Sequence, residues 1–330
     1  MSRRCLKLML FLSVSALALW AADDPVASNN SDRGLCPVTH RFLKGGWTSK
    51  GVAIIDPNLA VEWTEPSGDE ISDVWSLTDG GVVHSFSIRK QKIAGIKRYD
   101  ADKNLKWVYT VAAGRDNHSC QPLPDGHYLA GESTAGAAFM VEIDDTGKKI
   151  KEVELTLPEE IAKRSLRDIH HVFRNVRKTR EGTYLAACMH YQHAVEWDKN
   201  GNLLRQFPDC HYAAIRLPNG NTLVSGKKGV LQYDADQTLV WSMTAEDFTR
   251  LNLKIGMICG LQRLPNGNTI ITNVKHGNLT PTGDTYKVIE ITPAKELVWW
   301  VDDPKFAAMN LGSVQVLDVK GDATQFAVWK

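Results

Sequence analysis

The sequence predicts an all-β fold, a six-bladed β-propeller made of four-stranded antiparallel blades. Two near-identical segments carry this prediction, RLPNGNTLVSG at residues 216–226 and RLPNGNTIITN at residues 263–273. Between such turns, apolar and polar residues alternate as they do in half-buried strands. The 330-residue chain is 43% hydrophobic and 23% charged, which is enough apolar material for one large globular core.

The first repeated element is a tight turn between strands one and two of a blade. LPNG begins at Leu217 and again at Leu264, 47 residues later, and LPDG begins at Leu123, two such intervals before Leu217. Such a fixed period marks a repeat architecture. Proline presets φ early in a turn, and Asn, Asp and Gly tolerate the positive φ that follows. Degenerate copies complete a set of six turns: LTDG (77–80), TREG (179–182) and DVKG (318–321).

The second element is an alternating hexapeptide that supplies strand three and usually ends in aspartate. A short polar turn and another apolar strand, such as LVWSMT at 239–244, follow each copy. This pattern predicts strands three and four joined by a hairpin. The six copies are GVAIID (51–56), GIKRYD (95–100), FMVEID (139–144), HAVEWD (193–198), GVLQYD (229–234) and KVIEIT (287–292).

The chain ends predict how the ring closes. Residues 41–64 supply a late-blade hairpin without a first strand, and residues 313–329 supply early strands without a hairpin. One blade is therefore predicted to take strands from both termini, which removes open sheet edges. Either RFLKG (41–45) or ATQFAVW (323–329) could be its second strand. Segments 158–166 and 245–253 are predicted to be short helices between blades.

The N-terminal segment has the layout of a cleaved secretory signal. Basic residues at positions 3, 4 and 7 precede an apolar run from Leu8 to Trp20, and small residues follow. The run is shorter than the roughly 20 residues that span a bilayer. We expect a signal peptide at 1–22, a flexible segment at 23–38 and one propeller domain at 39–330. The mature protein is expected to be secreted or periplasmic, without a membrane anchor.

Charge and cysteine content narrow the functional classes. The 39 basic and 38 acidic residues give a formal net charge of +1, so the chain lacks the positive field that nucleic-acid binding needs. Nucleic acid is not an expected partner. The six cysteines show no CxxC spacing, which argues against a structural zinc site. Cys210 and Cys259 each open an equivalent strand and are the favoured disulfide pair.

The LPNGNTLV turn at 217–224 and the D....LVW hairpin at 234–241 resemble those of secreted pyrroloquinoline quinone (PQQ)-like repeat propellers. More distantly, they are similar to arylsulfotransferase-type propellers. The resemblance covers nearly all of the mature chain and implies the propeller architecture. It also implies eight blades and a metal-bound quinone for the dehydrogenases of that superfamily. The six predicted blades and the lack of an adjacent cysteine pair do not fit this, so PQQ is not an expected cofactor.

Most histidines are predicted to face one end of the central channel. The loops that enter first strands and those that follow second strands emerge together, opposite the PNG turns. His118, His171 and His211 stand at the entry of first strands, and imidazole is an efficient base near neutral pH. These three are the predicted catalytic candidates. The predicted ligand-binding residues are Trp47, Asp73, His84, Glu132, His170, Arg174, His190, His193, Asn273 and His276.

The sequence thus predicts an exported monomer that binds a small molecule or a glycan at its histidine-rich face. Trp47 could serve as a platform for a sugar ring. Neither HxxxH nor HExxH is present, so no metal ligands are assigned, although ligands converging from separate blades remain an alternative. Two other functions stay open because the fold alone implies no activity. One is a lyase or transferase that uses a channel histidine, and the other is a protein-interaction scaffold.

Overall fold

The computed structural model describes residues 38–47, 51–65, 70–227, 229–274, 286–301 and 310–330. Within these ranges the chain forms six antiparallel sheets arranged as the blades of a ring, which confirms the predicted six-bladed β-propeller. The predicted signal peptide (1–22) and nearly all of the segment 23–38 lie outside the described residues. Among the helices of the described ranges, none is long and apolar enough to cross a membrane.

Each blade is built mainly from consecutive strands. Blade 1 contains β1 (Phe42–Gly46), β2 (Val52–Ile55) and β3 (Val61–Glu65), and blade 2 contains β4 (Val74–Ser76), β5 (Val82–Ile88), β6 (Ile93–Tyr99) and β7 (Leu105–Thr110). Blade 3 contains β8 (Asp116–Asn117), β9 (Gln121–Pro122), β10 (Tyr128–Thr134), β11 (Ala137–Ile143) and β12 (Lys149–Glu154). Blade 4 contains β13 (Val176–Lys178), β14 (Tyr184–Cys188), β15 (His193–Trp197) and β16 (Leu203–Pro208).

The remaining strands complete the ring. Blade 5 contains β17 (Ala214–Arg216), β18 (Thr222–Ser225), β19 (Val230–Tyr233) and β20 (Leu239–Met243). Blade 6 contains β21 (Met257–Arg263), β22 (Thr269–Val274), β23 (Val288–Ile291) and β24 (Leu297–Val301), and β25 (Leu311–Val316) returns to blade 1. Two short helices join blades as predicted, α1 (Glu159–Ser165) and α2 (Ala245–Arg250), and 3-10 turns occur at Arg89–Gln91, Ile169–His171 and Ala323–Gln325.

Closure of the ring uses one strand from the C-terminal part of the chain. β25 is the inner strand of blade 1 and pairs antiparallel with β1, with Phe42 opposite Val316. RFLKG is therefore the second strand, and ATQFAVW is not. Beyond β25 the chain makes the 3-10 turn Ala323–Gln325 and one antiparallel bridge between Trp329 and Arg263. The sixth predicted turn, at 318–321, was wrong because no second strand follows it within the blade.

The local chemistry of the other five turns explains the repeated sequence. In each, the glycine has a φ of 80° to 89°, as at Gly220, whose N–H donates to the carbonyl of Leu217. Glycine adopts this conformation without steric cost. The aspartate that ends five of the six hexapeptides fixes the turn that follows it. At Asp198, Oδ1 accepts hydrogen bonds from the backbone N–H groups of Asn200 (2.8 Å) and Asn202 (2.9 Å), which fixes the next hairpin.

Six of the seven apolar clusters among the described residues fill the interfaces between neighbouring blades. Between blades 3 and 4, for example, Met140 and Leu129 pack with Tyr184 and the fully buried Trp197. Burial on this scale holds the ring rigid around its axis.

The predicted disulfide was wrong. Cys210 lies between blades 4 and 5, Cys259 lies near the channel, and both are free thiols.

Candidate functional site

The residue five positions before each tight turn occupies the same place in blades 2 to 6. These residues are Ser72, His118, Arg174, Tyr212 and Cys259, and all are buried. Their side chains meet around one end of the channel. The Ser72 Oγ lies 3.1 Å from His118 Nδ1, and the Arg174 guanidinium lies over the Tyr212 ring, 5.7 Å from its centre.

His211, a predicted catalytic residue, stands one position earlier in this alignment. Side chains of extended chain alternate between opposite sides, so a shift of one residue reverses the direction of the side chain. Tyr212 therefore takes the channel position that the prediction gave to His211. The backbone N–H of His211 donates to the carbonyl of Ser225, 2.7 Å away. His211 is not among the described residues that line the cavity at this end.

That cavity has a volume of about 350 Å³. Loops of several blades enclose it, so its wall mixes aromatic, charged and thioether side chains. In the described part of the chain it is lined by Trp47, Glu70, Arg89, His171, Arg174, Met189, Tyr212 and Met257. Three of the predicted site residues, Trp47, His171 and Arg174, are in this wall.

Arg174 brings a buried positive charge to the cavity. It is 4% exposed; its Nε contacts Met189 Sδ at 3.2 Å and its Nη1 donates to the carbonyl of His170 at 3.0 Å. Among the described residues, no carboxylate oxygen lies within 4.0 Å of its guanidinium. Arg177, three residues later and equally buried, has an ion pair with Asp73 at 2.8 Å. The charge of Arg174 is thus left without a counter-charge in contact.

Trp47 and Tyr212 form an aromatic wall beside this guanidinium. Their rings are 5.8 Å apart with 32° between their planes. The hydroxyl of Tyr212 is buried next to the hydroxyl of Ser72. Burial raises the pKa of Tyr212, so its hydroxyl stays protonated and can donate a hydrogen bond.

Four of the predicted histidines lie in a row next to the cavity. The ring centres are 4.5 Å apart between His118 and His170, 4.8 Å between His170 and His171, and 4.3 Å between His171 and His190. The 3-10 turn Ile169–His171 presents two of them. Asp168 caps this turn, since its side chain accepts a hydrogen bond from the backbone N–H of His170 at 3.0 Å.

His171 has the environment of a neutral base. Its Nδ1 lies 2.5 Å from Asp168 Oδ2, so the Nδ1–H form donates to the carboxylate and leaves Nε2 with a lone pair. Burial and the charge of Arg174 lower the pKa of His171 to about 4, although Asp168 acts in the opposite direction. At neutral pH the imidazole therefore carries no proton on Nε2 and can accept one.

Deeper in the cluster, the charges of His170 and Glu70 are coupled. Burial acts to lower the pKa of His170, but its hydrogen bonds with Asp116 and Glu70 raise it above the usual value. For Glu70, burial is outweighed by the hydrogen bond from His170 and the nearby cationic groups, and the pKa falls to about 2. Burial lowers the pKa of His118. Glu70 also forms an ion pair with Arg89 at 2.7 Å.

Asp73 lies in the channel but its carboxylate has structural partners. It pairs with Arg177 (2.8 Å) and with Lys330 Nζ (2.8 Å), and all three side chains are buried. Although burial opposes ionisation, these two cations hold the pKa of Asp73 at about 2. The triad ties together parts of the chain more than 100 residues apart, and it does not line the cavity.

The structure places His84 and Glu132 in contacts with neighbouring strands and not at the cavity. His84 stacks on Tyr99, with ring centres 5.8 Å apart, and its Nδ1 lies 3.0 Å from the carbonyl of Ser85. Glu132 accepts hydrogen bonds from the hydroxyl of Tyr109 (2.5 Å) and from Arg115 (2.9 Å). Both are strand-two residues, and their side chains point sideways towards adjacent strands.

His193 and Asn273 are also separate from the cavity. His193 stacks on Tyr191 with ring centres 4.3 Å apart, and its Nδ1 lies 2.8 Å from that residue's carbonyl. The amide of Asn273 exchanges two hydrogen bonds, of 2.9 and 2.8 Å, with the backbone at positions 254–256. It holds the loop before β21. His276 lies outside the described residues.

Several residues of the site were not predicted from the sequence. Asp116 and Asp168 each stand two residues before a histidine, in DNH and DIH, and that spacing could have identified them. Tyr212 follows from counting five positions back from the turn. The other members come from loops that only the closed ring brings together: Glu70, Arg89, Met189 and Met257.

Comparisons with known proteins show the fold. No protein-family model matches the chain, and no curated protein matches it. A solved protein of unknown function from Bacteroides caccae is 22% identical, with a TM-score of 0.72, over 84% of this chain and 98% of its own.

Two further solved structures have stated activities. A catalytically inactive virginiamycin B lyase from Staphylococcus aureus, solved with quinupristin, is 10% identical with a TM-score of 0.52, covering 81% of this chain and 86% of its own. The calcium-binding protein regucalcin from Agrobacterium tumefaciens is 10% identical with a TM-score of 0.52, covering 80% and 92%. These neighbours are β-propellers, and at such identities they show architecture alone. Membership of the PQQ-like repeat proteins stays a prediction.

Proposed function

We propose that the protein binds a small organic anion, a carboxylate-bearing sugar or short acidic glycan, in the cavity at the histidine-rich end of the channel. The observation that carries this proposal is the buried guanidinium of Arg174, which lines the cavity and has no carboxylate in contact among the described residues. Removing an ion from water costs several kcal/mol unless a counter-charge replaces the lost hydration. A ligand carboxylate would supply that counter-charge.

The charges around Arg174 support an anionic ligand. Glu70 is the one carboxylate in the described wall, and it already contacts Arg89 at 2.7 Å and His170 at 3.4 Å. His171 is a neutral imidazole and adds no charge to the wall. Guanidinium and carboxylate groups form paired hydrogen bonds with fixed geometry, so this pair would also orient the ligand.

The aromatic wall and the volume favour a sugar. Trp47 is partly exposed beside Tyr212, an arrangement that offers a flat apolar surface next to donors for hydroxyl and carboxylate oxygens. A volume of about 350 Å³ is within the usual range for small-molecule sites, about 300–1,000 Å³.

Isothermal titration with matched sugars tests the proposal. Oligogalacturonate and the neutral galactose oligomer of equal length are titrated into the full mature chain. We expect binding of the acidic sugar only, lost in Arg174→Met and kept in Arg41→Gln, a change at an exposed arginine that pairs with Glu62. Equal affinity for both sugars, or unchanged affinity in Arg174→Met, would contradict an anion site.

We also propose that the protein meets this ligand outside the cytoplasm, as a monomer. The basic and apolar layout of residues 1–22 supports export. Cell fractionation of the full chain, with N-terminal sequencing of the exported form, should find a start close to residue 23. Light scattering should give the mass of one mature chain. A full-length product in the cytoplasm, or a dimeric mass, would contradict these two expectations.

A second candidate function is β-elimination on the same ligand, with His171 as the base. The pair Asp168 and His171 presents a neutral Nε2 at the cavity wall, beside the guanidinium that would hold the carboxylate. The imidazole would take the proton from the carbon next to the carboxylate. The C–H electron pair would form the new double bond while the C–O bond to the leaving sugar breaks. Water would protonate the leaving oxygen, and Arg174 would stabilise the charge that develops on the carboxylate.

Ultraviolet absorbance of the new double bond conjugated to the carboxylate tests this second function. If it operates, wild-type protein generates the absorbance, and His171→Gln abolishes it while binding of the acidic sugar is retained. Binding without any absorbance change in wild-type protein would leave the molecule as a binding protein and exclude elimination of that sugar.

A further inference from the structure

We propose that a divalent transition-metal ion, of the class of Zn²⁺, binds at the cluster of Asp116, His118 and His170 beside the cavity. This Asp–His–His cluster is assembled from the inner strand of blade 3 and the 3-10 turn that precedes blade 4. The proposal does not depend on the anion site, because it concerns other donor atoms and is tested without any sugar.

The three donor atoms lie within 3.3 Å of one another. Asp116 Oδ2 lies 2.8 Å from His170 Nδ1 and 3.3 Å from His118 Nε2, and the two nitrogens are 3.2 Å apart. Around a tetrahedral ion with bonds of about 2.0–2.1 Å, ligand atoms are about 3.3 Å from one another. The triangle therefore has the size of one face of such a site, and carboxylate with imidazole is a ligand set that zinc accepts.

Without a metal, hydrogen bonds hold this triangle, because one carboxylate oxygen can accept from both ring nitrogens. A single cation at the centre would replace these protons and use the lone pairs of all three atoms. The cluster is also largely buried, with His118 2% and Asp116 8% exposed.

The opposite edges of both rings contact oxygen atoms. His118 Nδ1 lies 3.1 Å from Ser72 Oγ, and His170 Nε2 lies 3.4 Å from Glu70 Oε1 and also contacts Arg89 Nη2, which would turn to Glu70 when the metal binds. Ligating histidines usually donate their second ring N–H to a carboxylate or another oxygen, which fixes the ring and strengthens the ligand. Asp116 is held as well, because its Oδ1 accepts from the backbone N–H of Asn117 at 2.9 Å.

The one anionic ligand of the ion would be Asp116, since Glu70 is already paired with Arg89. Three protein ligands would leave one position for water or a ligand, the arrangement of zinc sites that carry out chemistry. Glu70 links the cluster to the cavity, since it contacts His170 and is also part of the cavity wall.

A neighbouring group is a weaker candidate. Asp168, His171 and His190 also have donor atoms within 4.8 Å of one another. Their two imidazoles are stacked, however, with 16° between the ring planes. The lone pairs of a ring lie in its plane, so two nearly parallel rings cannot both direct a lone pair at one ion.

Metal titration of the chelator-treated mature protein tests the proposal. Zn²⁺ is followed by isothermal titration, and Co²⁺ by its visible spectrum, which is intense for tetrahedral sites. The matched control is His127, a member of the more exposed group Asp125, His127 and Glu142 near a tight turn. We expect one equivalent of Zn²⁺, a tetrahedral Co²⁺ spectrum, affinity reduced on the order of 100-fold or more in His170→Gln, and no change in His127→Gln.

Two results would overturn the proposal: no stoichiometric Zn²⁺ on wild-type protein, or loss of binding in His127→Gln but not in His170→Gln. Circular dichroism and thermal melting establish that each variant is folded. If His170→Gln does not fold, Asp116→Asn replaces it, and the wild-type stoichiometry and Co²⁺ spectrum still decide. Because no sugar is present, a negative result here leaves the anion site unaffected, and the reverse also holds.

Discussion

Replacing Arg174 by methionine should barely change stability, whereas the same replacement at Arg177 should destabilise the protein strongly. The two arginines are three residues apart and are 4% and 3% exposed. Arg177 has Asp73 at 2.8 Å, but Arg174 has no carboxylate in contact within the described ranges. They form a matched pair that differs in counter-charge.

The magnitudes follow from these contacts. Breaking a buried ion pair by removing one partner typically costs about 3–5 kcal/mol, which is the expected loss in Arg177→Met. Arg174→Met removes a charged hydrogen bond to the carbonyl of His170, at about 1.5–3 kcal/mol. It also removes the unfavourable desolvation of an unpaired charge, which is several kcal/mol in the opposite direction. The net change for Arg174→Met should lie within about 1 kcal/mol of zero, or be stabilising.

Urea denaturation of both variants measures these changes in the free energy of unfolding. Titration with oligogalacturonate measures the loss of affinity expected in Arg174→Met. Losing one partner of a buried charge pair costs about 2–5 kcal/mol in binding, so affinity should fall about 30- to 4,000-fold in Arg174→Met. The pKa of His171 should also rise, because the charge of Arg174 helps to lower it. If Arg174→Met destabilises the protein as much as Arg177→Met, the guanidinium of Arg174 is already compensated within the fold and the anion-site argument fails.

Three further predictions address the cavity and the channel. Trp47→Ala should weaken sugar binding by up to about 10-fold. If the sugar quenches tryptophan fluorescence to the same extent in this variant and in the wild type, the sugar ring does not pack on Trp47. The pKa of His171 is about 4 in the folded protein and about 6.5 when unfolded, so its contribution to stability is present above pH 6.5 and lost as pH falls through 4. Between pH 7.5 and 5 the wild type should therefore lose up to about 2 kcal/mol of its free energy of unfolding that His171→Gln does not lose, as measured by urea denaturation. The same pH dependence in both proteins would refute this. Asp73→Asn should cost about 3–5 kcal/mol because it leaves two buried cations without their carboxylate, and a smaller loss in thermal melting would show that the triad is not a structural tie.

The fold was predictable because its signals are local. A glycine with positive φ ends each of five turns, and the aspartate hairpins bind their own backbone, as at Asp198. Both features depend on residues a few positions apart, so they are visible in the sequence. The turn predicted at 318–321 has similar residues, but no second strand of the same blade follows it. Pairing of β25 with β1 joins the two ends of the chain, and no local pattern specifies it.

The site was predictable only where it follows the repeat. Counting back from the turns places His118 and Arg174 at the channel, and the same count should have given Tyr212 and not His211. An error of one residue reverses the side of the strand. Glu70 and Arg89 belong to segments outside the repeat pattern, and their positions depend on how the ring closes.

The most direct test of the account is a crystal structure of the mature protein grown with digalacturonate. The account predicts a sugar carboxylate within hydrogen-bonding distance of the Arg174 guanidinium, with a sugar ring against Trp47 in the cavity at the histidine-rich end. A sugar bound elsewhere, or one bound in this cavity with its carboxylate directed away from Arg174, would contradict the central claim.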